Sequence, residues 1–148
     1  MTAGREISRT DAAPGRTGGA AAAAQWFKTV MWLGIAANVA VALISIVWTQ
    51  AVLNFLGLEM AQPLVWPRFA CVLLILLSIF YVPSAVDPLV HRYSAVVAVF
   101  CRFAGVAFFT IVGGRYIVFG LFDLTFGLPQ AVLLLLAWKP SGAVGTAR

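Results

Sequence analysis

Charge is scarce in this chain. Only 10% of its 148 residues are Asp, Glu, Lys or Arg, five of them acidic, and there are one histidine and two cysteines. Each shortage excludes something. A water-soluble domain carries about 25% charged and about 45–50% apolar residues, so a chain that is 62% hydrophobic has too little polar surface to cover itself in water. With His91 as the one histidine, two axial imidazoles for a membrane haem cannot come from a single chain, and no Ser/His/Asp triad is visible. His91 itself reads as a loop surface residue. Cys71 and Cys101 lack metal-ligand spacing and read as free thiols in apolar surroundings. No glycine-rich phosphate loop follows a strand pattern. Neither a metal nor a cofactor is implied.

What the chain has instead is long apolar runs. Residues 1–25 are small, polar and without a periodic apolar face, which predicts a disordered tail; the Ala20–Ala24 run could extend the following helix by a turn. From Thr29 to Leu58 there is no charged residue, a stretch longer than the roughly 20 residues a bilayer requires. It also exceeds the about 7–15 apolar residues of a signal peptide, so an uncleaved span is expected. A second run lies between Arg68 and Asp87, opening after Pro67. The third lies between Arg92 and Arg115. The fourth runs from Tyr116 to Trp138, with a bend expected around Gly127 and Pro129. The predicted fold is therefore all-α, an integral membrane four-helix bundle over residues 26–139. Its spans fall at about 29–56, 67–83, 93–112 and 116–138, followed by a flexible tail at 140–148.

Orientation follows from the basic residues beside the spans. Arg5, Arg9, Arg16, Lys28, Arg92, Lys139 and Arg148 fall on one side, and Arg68 and Arg115 on the other. Both termini are thus expected in the cytoplasm. The net charge of +5 is spread singly over span ends rather than gathered in a patch, so nucleic acid is not an expected partner; the lipid bilayer is. Trp26, Trp32, Trp66, Tyr81, Tyr93, Tyr116 and Trp138 fall near predicted span ends, as an interfacial aromatic belt would place them.

Two charges interrupt the apolar runs: Arg102 in the third and Asp123 in the fourth. With a tight turn at Gly113–Gly114, Arg102 lies roughly 15 Å below the turn and Asp123 roughly 12 Å below Arg115, at 1.5 Å per residue. A charge at mid-bilayer costs about 2.5–3.5 kcal/mol on insertion scales, so each should turn inward and find the other. Ala98 and Gly105 flank Arg102, and Gly120 and Gly127 flank Asp123, as small residues do where helices pack closely. Asn38, Phe119, Phe126 and Gln130 would line the interior. On the first helix Gly34, Asn38, Ser45 and Thr49 form a small and polar stripe, with Asn38 as an interhelical hydrogen-bond donor. The plain reading of Arg102 and Asp123 is a buried pair that fixes helix register; binding of a small polar ligand and a proton relay are the alternatives. Glu59 and Arg68, beside the first outer loop, read as a solvated surface pair or, less simply, as a gate.

The stretches WPRFACVLLILLSIFYVPSAVDP and VFCRFAGVAFFTIVGGRYIVFGLFDLTFG resemble those of small, uncharacterised bacterial four-helix membrane proteins of the broad DoxX-like type, over roughly residues 27–138. The resemblance implies an inner-membrane protein, in some relatives accompanying a redox enzyme or quinone-linked system, and no catalytic residue. The leading functional expectation is a non-catalytic accessory or assembly subunit of a membrane complex, with other membrane-protein subunits as partners or as a homo-oligomer. The second is a redox-accessory protein that binds a quinone-like or lipid molecule near Arg102, Asp123, Phe119 and Phe126. A small transporter is the third, with Asp123 as the coupling acid; an aspartate paired with arginine titrates too low to serve easily.

Overall fold

The structure, a computed structural model, describes residues 17–138; the expected tails at 1–16 and 140–148 lie outside the described residues. The first helix, α1, runs Thr17–Val47, so the part of the predicted tail from residue 17 to 25 is helix instead. Alanine is the strongest helix former, and Ala23 and Ala24 are also buried, so this run has both a propensity and a packing reason to be ordered.

The single span expected at 29–56 is divided. Trp48 leaves helical geometry (φ −114°, ψ 45°) and α2 then covers Thr49–Leu56. At this point the Thr49 hydroxyl donates to the Ser45 carbonyl at 2.7 Å and to the Ile46 carbonyl at 3.3 Å, back-bonding of the kind found at helix bends. Gly57 ends α2 in the left-handed region (φ 63°). Its amide donates to the Asn54 carbonyl and that of Leu58 to the Leu53 carbonyl, the paired bonds of a Schellman cap.

Helix α3 spans Val65–Val86, longer than the predicted 67–83 because Pro83 is tolerated near the end, where its ring withholds only the amide that would bond the Ile79 carbonyl. The Asp87 carboxylate then accepts from the amides of Leu89 (2.9 Å) and Val90 (3.3 Å). These bonds, with Leu89's the stronger, hold the Asp87 carboxyl below its usual range. Helix α4 covers Arg92–Val112. Gly113 (φ 71°) and Gly114 (φ 59°) make the turn, a single 3₁₀ turn follows at Gly114–Tyr116, and α5 covers Ile117–Trp138. It runs through Gly127 and Pro129 as one helix.

The long helices pack in a ring: α1 against α3 and α5, and α4 against α5 and α3. Their buried apolar residues gather toward the ends nearest the chain termini, with Phe27, Met31 and Ile35 of α1 against Tyr81 and Ala85 of α3, Ala95 and Ala98 of α4 and Leu134 of α5. On α1 the buried positions 27, 31, 35, 38 and 42 follow the three-to-four spacing of one helix face. No residue of α3 before Ser78 and none of α4 after Arg102 is buried. Outside this core the large side chains face outward, Phe55 and Ile111 almost fully. The four long helical segments are long and apolar enough to cross a membrane.

Candidate functional site

Arg102 extends from α4 into the centre of the ring and is 2% exposed. Its Nη1 donates to Asp123 Oδ1 of α5 at 2.8 Å and to Asn38 Oδ1 of α1 at 3.1 Å. The same guanidinium lies over the Phe126 ring of α5, 5.3 Å from its centroid, and over Tyr81 of α3 at 5.8 Å. One side chain thus contacts all three other long helices. Among the described residues Arg102–Asp123 is the one ion pair.

The backbones come close enough for this because three glycines give way. A β-carbon on Gly105 would overlap Asp123 Oδ2, one on Gly127 would come 2.9 Å from Arg102 Cβ, and one on Gly34 would come 3.0 Å from Arg102 Nη2. Gly120 is different in kind. Its added carbon would meet Phe109 Cβ at 3.4 Å and the Val106 carbonyl at 3.5 Å, which is ordinary contact.

Of the other residues singled out in the sequence, Gln130 is fully buried beside this cluster, with its Nε2 donating weakly to Met31 Sδ at 3.6 Å. Phe119 stands apart. It rests tilted on Phe109 with centroids 5.2 Å apart, so it belongs to the α4–α5 seam rather than to an interior lined by Arg102. Ser45 and Thr49 serve the bend, and Arg68 Nε donates to Thr49 Oγ1 at 3.3 Å. Arg68 is therefore tied to α2 and does not form the expected pair with Glu59.

Tyr81 is the residue misplaced by sequence reasoning. Expected in an interfacial belt, it is 2% exposed and lies under Arg102. The signal was available: Ser78, Tyr81 and Ala85 recur at three-to-four spacing on the face of α3 that the bundle buries. A contact without sequence warning joins the end of α2 to the α4–α5 turn. The Arg115 guanidinium fills the space where Gly57 lacks a side chain, placing a cation at the carbonyl end of α2, where the helix dipole favours it.

Chemically the cluster is a neutral sum of two charges. The Arg102 guanidinium is shared between the Asp123 carboxylate and the Asn38 amide oxygen, which ties α4 to α5 and to α1. The cluster is not saturated, however: Arg102 Nε, Arg102 Nη2 and Gln130 Oε1 are buried without a protein partner. Comparison of the chain with protein-family models, with curated proteins and with solved structures gives no match.

Proposed function

We propose that this chain is a multi-pass protein of the bacterial inner membrane, with both termini cytoplasmic, acting as a non-catalytic accessory or assembly subunit of a membrane complex. The observation that supports it best is the role of Arg102. The most strongly polar group of the interior is committed to three neighbouring helices, which is what a rigid scaffold needs and what a reacting group cannot afford. The apolar helix surfaces and the asymmetry of Lys and Arg support the membrane and its orientation. The DoxX-like stretches lead in the same direction.

The test is to purify the tagged chain from its own membranes in mild detergent and determine the mass of the native assembly. A defined complex with a second membrane protein, whose abundance falls when this chain is deleted or carries Arg102→Leu, is expected. A chain that migrates alone and whose deletion alters no other membrane protein would contradict the proposal.

A second reading is favoured by the free edge of Arg102. Its unpartnered Nε and Nη2, beside the unpartnered Gln130 Oε1, suit a neutral molecule with a carbonyl oxygen, of the quinone-like or lipid class. A rise in thermal stability with such a ligand, lost in Gln130→Leu and in Arg102→Ala, is its expected signature. Transport coupled to Asp123 is not supported, because that carboxylate is held at 2.8 Å by Arg102.

A further inference from the structure

Where α3 ends and α4 begins, the surface carries a groove unrelated to the Arg102 cluster. Ile79, Phe80, Pro83 and Val90 form its apolar part, and His91 and Arg92 its polar end. We propose that this groove holds one anionic phospholipid, its phosphate at Arg92 and one acyl chain along Ile79 and Phe80. The inference rests on the membrane part of the proposed function and not on the accessory role.

Three observations carry it. The first is graded chemistry. Ile79, Phe80 and Val90 are largely exposed apolar side chains, and the basic residues lie at one end only, as an amphiphile with a charged head requires. Tyr93, 81% exposed, continues that end, and a phenol so placed is typical of the headgroup level.

The second is that Arg92 is held ready. Its Nε donates to the Leu89 carbonyl at 3.1 Å, and its guanidinium carbon lies 5.7 Å from the centre of the Trp138 ring. Those two anchors reduce the freedom that a binding partner would otherwise have to remove, and they leave the Nη groups for an anion. No side chain caps the first turn of α4, so the amides there add to the attraction.

The third is the charge balance. No acidic residue lines the groove. The nearest acid in sequence, Asp87, already accepts from the amides of Leu89 and Val90, and Lys28 lies close enough to Asp87 to favour its charged form. The local balance of Lys28, Arg92 and Asp87 is positive even with His91 neutral. A zwitterionic lipid would not answer that charge and an anionic one does.

The test uses the full chain reconstituted in lipid nanodiscs or detergent, with phosphatidylglycerol and phosphatidylcholine as probes and bound lipid counted by native mass spectrometry. One phosphatidylglycerol retained in preference to phosphatidylcholine is expected. Arg92→Gln should weaken it about fivefold, the value of about 1 kcal/mol for one interfacial cation at 1.4 kcal/mol per tenfold. Ile79→Trp, which fills the groove and keeps every charge, should also displace the lipid, whereas Arg68→Gln at the opposite end should leave binding within about twofold. Equal retention of the two lipids, or unchanged binding in both Arg92→Gln and Ile79→Trp, would overturn the proposal while leaving the membrane reading intact. Displacement by millimolar inorganic phosphate would also overturn it, since the site would then read phosphate alone. Recovery of folded chain in the lipid-free aqueous fraction would defeat the membrane reading and this inference together.

Discussion

Replacing Asp123 by leucine should be the most damaging single change in the bundle, more so than replacing Arg102, and the reason is in their surroundings. Asp123→Leu leaves a guanidinium that is 2% exposed, with one amide oxygen and two ring faces for company, and that stays charged, whereas Arg102→Leu leaves a carboxyl, a group that an apolar interior accommodates in its neutral form. Breaking a buried pair from one side costs about 3–5 kcal/mol. The upper part of that range is expected for Asp123→Leu and the lower part for Arg102→Leu. The double change removes both charges and leaves Asn38 without its donor, a loss of about 1–2 kcal/mol. On these figures the two sites should couple by about 5–8 kcal/mol, above the about 0.5–3 kcal/mol usual for neighbours. Reversible unfolding in mixed detergent micelles, followed by circular dichroism, measures all four corners of the cycle. Additive losses, or a greater loss for Arg102→Leu than for Asp123→Leu, would refute the reasoning.

Further outcomes are expected from the same geometry. Gly105→Ala and Gly127→Ala should each destabilise by about 1–3 kcal/mol, because the added methyl meets Asp123 or Arg102, while Gly120→Ala should cost less than about 1 kcal/mol; thermal denaturation of the three variants checks the order. Asn38→Leu should cost about 1–3 kcal/mol by stripping Arg102 of a buried acceptor, and Asn38→Asp should not rescue it, since a second carboxylate would leave the cluster net negative. Gly57→Ala should lose about 1–2 kcal/mol from its left-handed backbone, and more from the clash with Arg115; shortening the clash partner with Arg115→Ala should recover the second part only. For Asp87, whose folded carboxyl lies below its ordinary range, the contribution to stability is present above the unfolded value of about 3.9 and is lost as pH falls through the lowered folded one. Asp87→Ala should therefore differ from the parent at pH 7 and converge with it in strong acid.

Much of the arrangement was legible because lipid-scale apolar runs and isolated charges are coarse signals. The equal depth of Arg102 and Asp123 followed from helical rise alone, and the structure brings them to 2.8 Å. The small residues beside them marked where helices approach. The α3 neighbour was legible only in part: Ser78, Tyr81 and Ala85 share one helix face, but the order of helices round the ring is what turns Tyr81 toward Arg102. Phe119 failed for the related reason that helix rotation, which decides whether it faces Arg102 or Phe109, is set by packing and not by composition. The bend at Trp48 carries no distinct sequence signal, since the back-bond of Thr49 is made equally by Thr110 and Thr125 inside unbroken helices. The Arg115–Gly57 contact joins positions far apart in sequence, and no local pattern announces it.

The most direct test of the account is the membrane crossing itself. In a chain with Cys71→Ala and Cys101→Ala, single cysteines at Ala143, Glu59 and Arg115 would be labelled with a membrane-impermeant maleimide in right-side-out and inverted vesicles. Glu59→Cys and Arg115→Cys should react only from the outside of right-side-out vesicles, and Ala143→Cys only in inverted ones. Labelling of Ala143→Cys and Glu59→Cys from the same face, or extraction of the chain by alkaline carbonate, would contradict four spans with both ends in the cytoplasm.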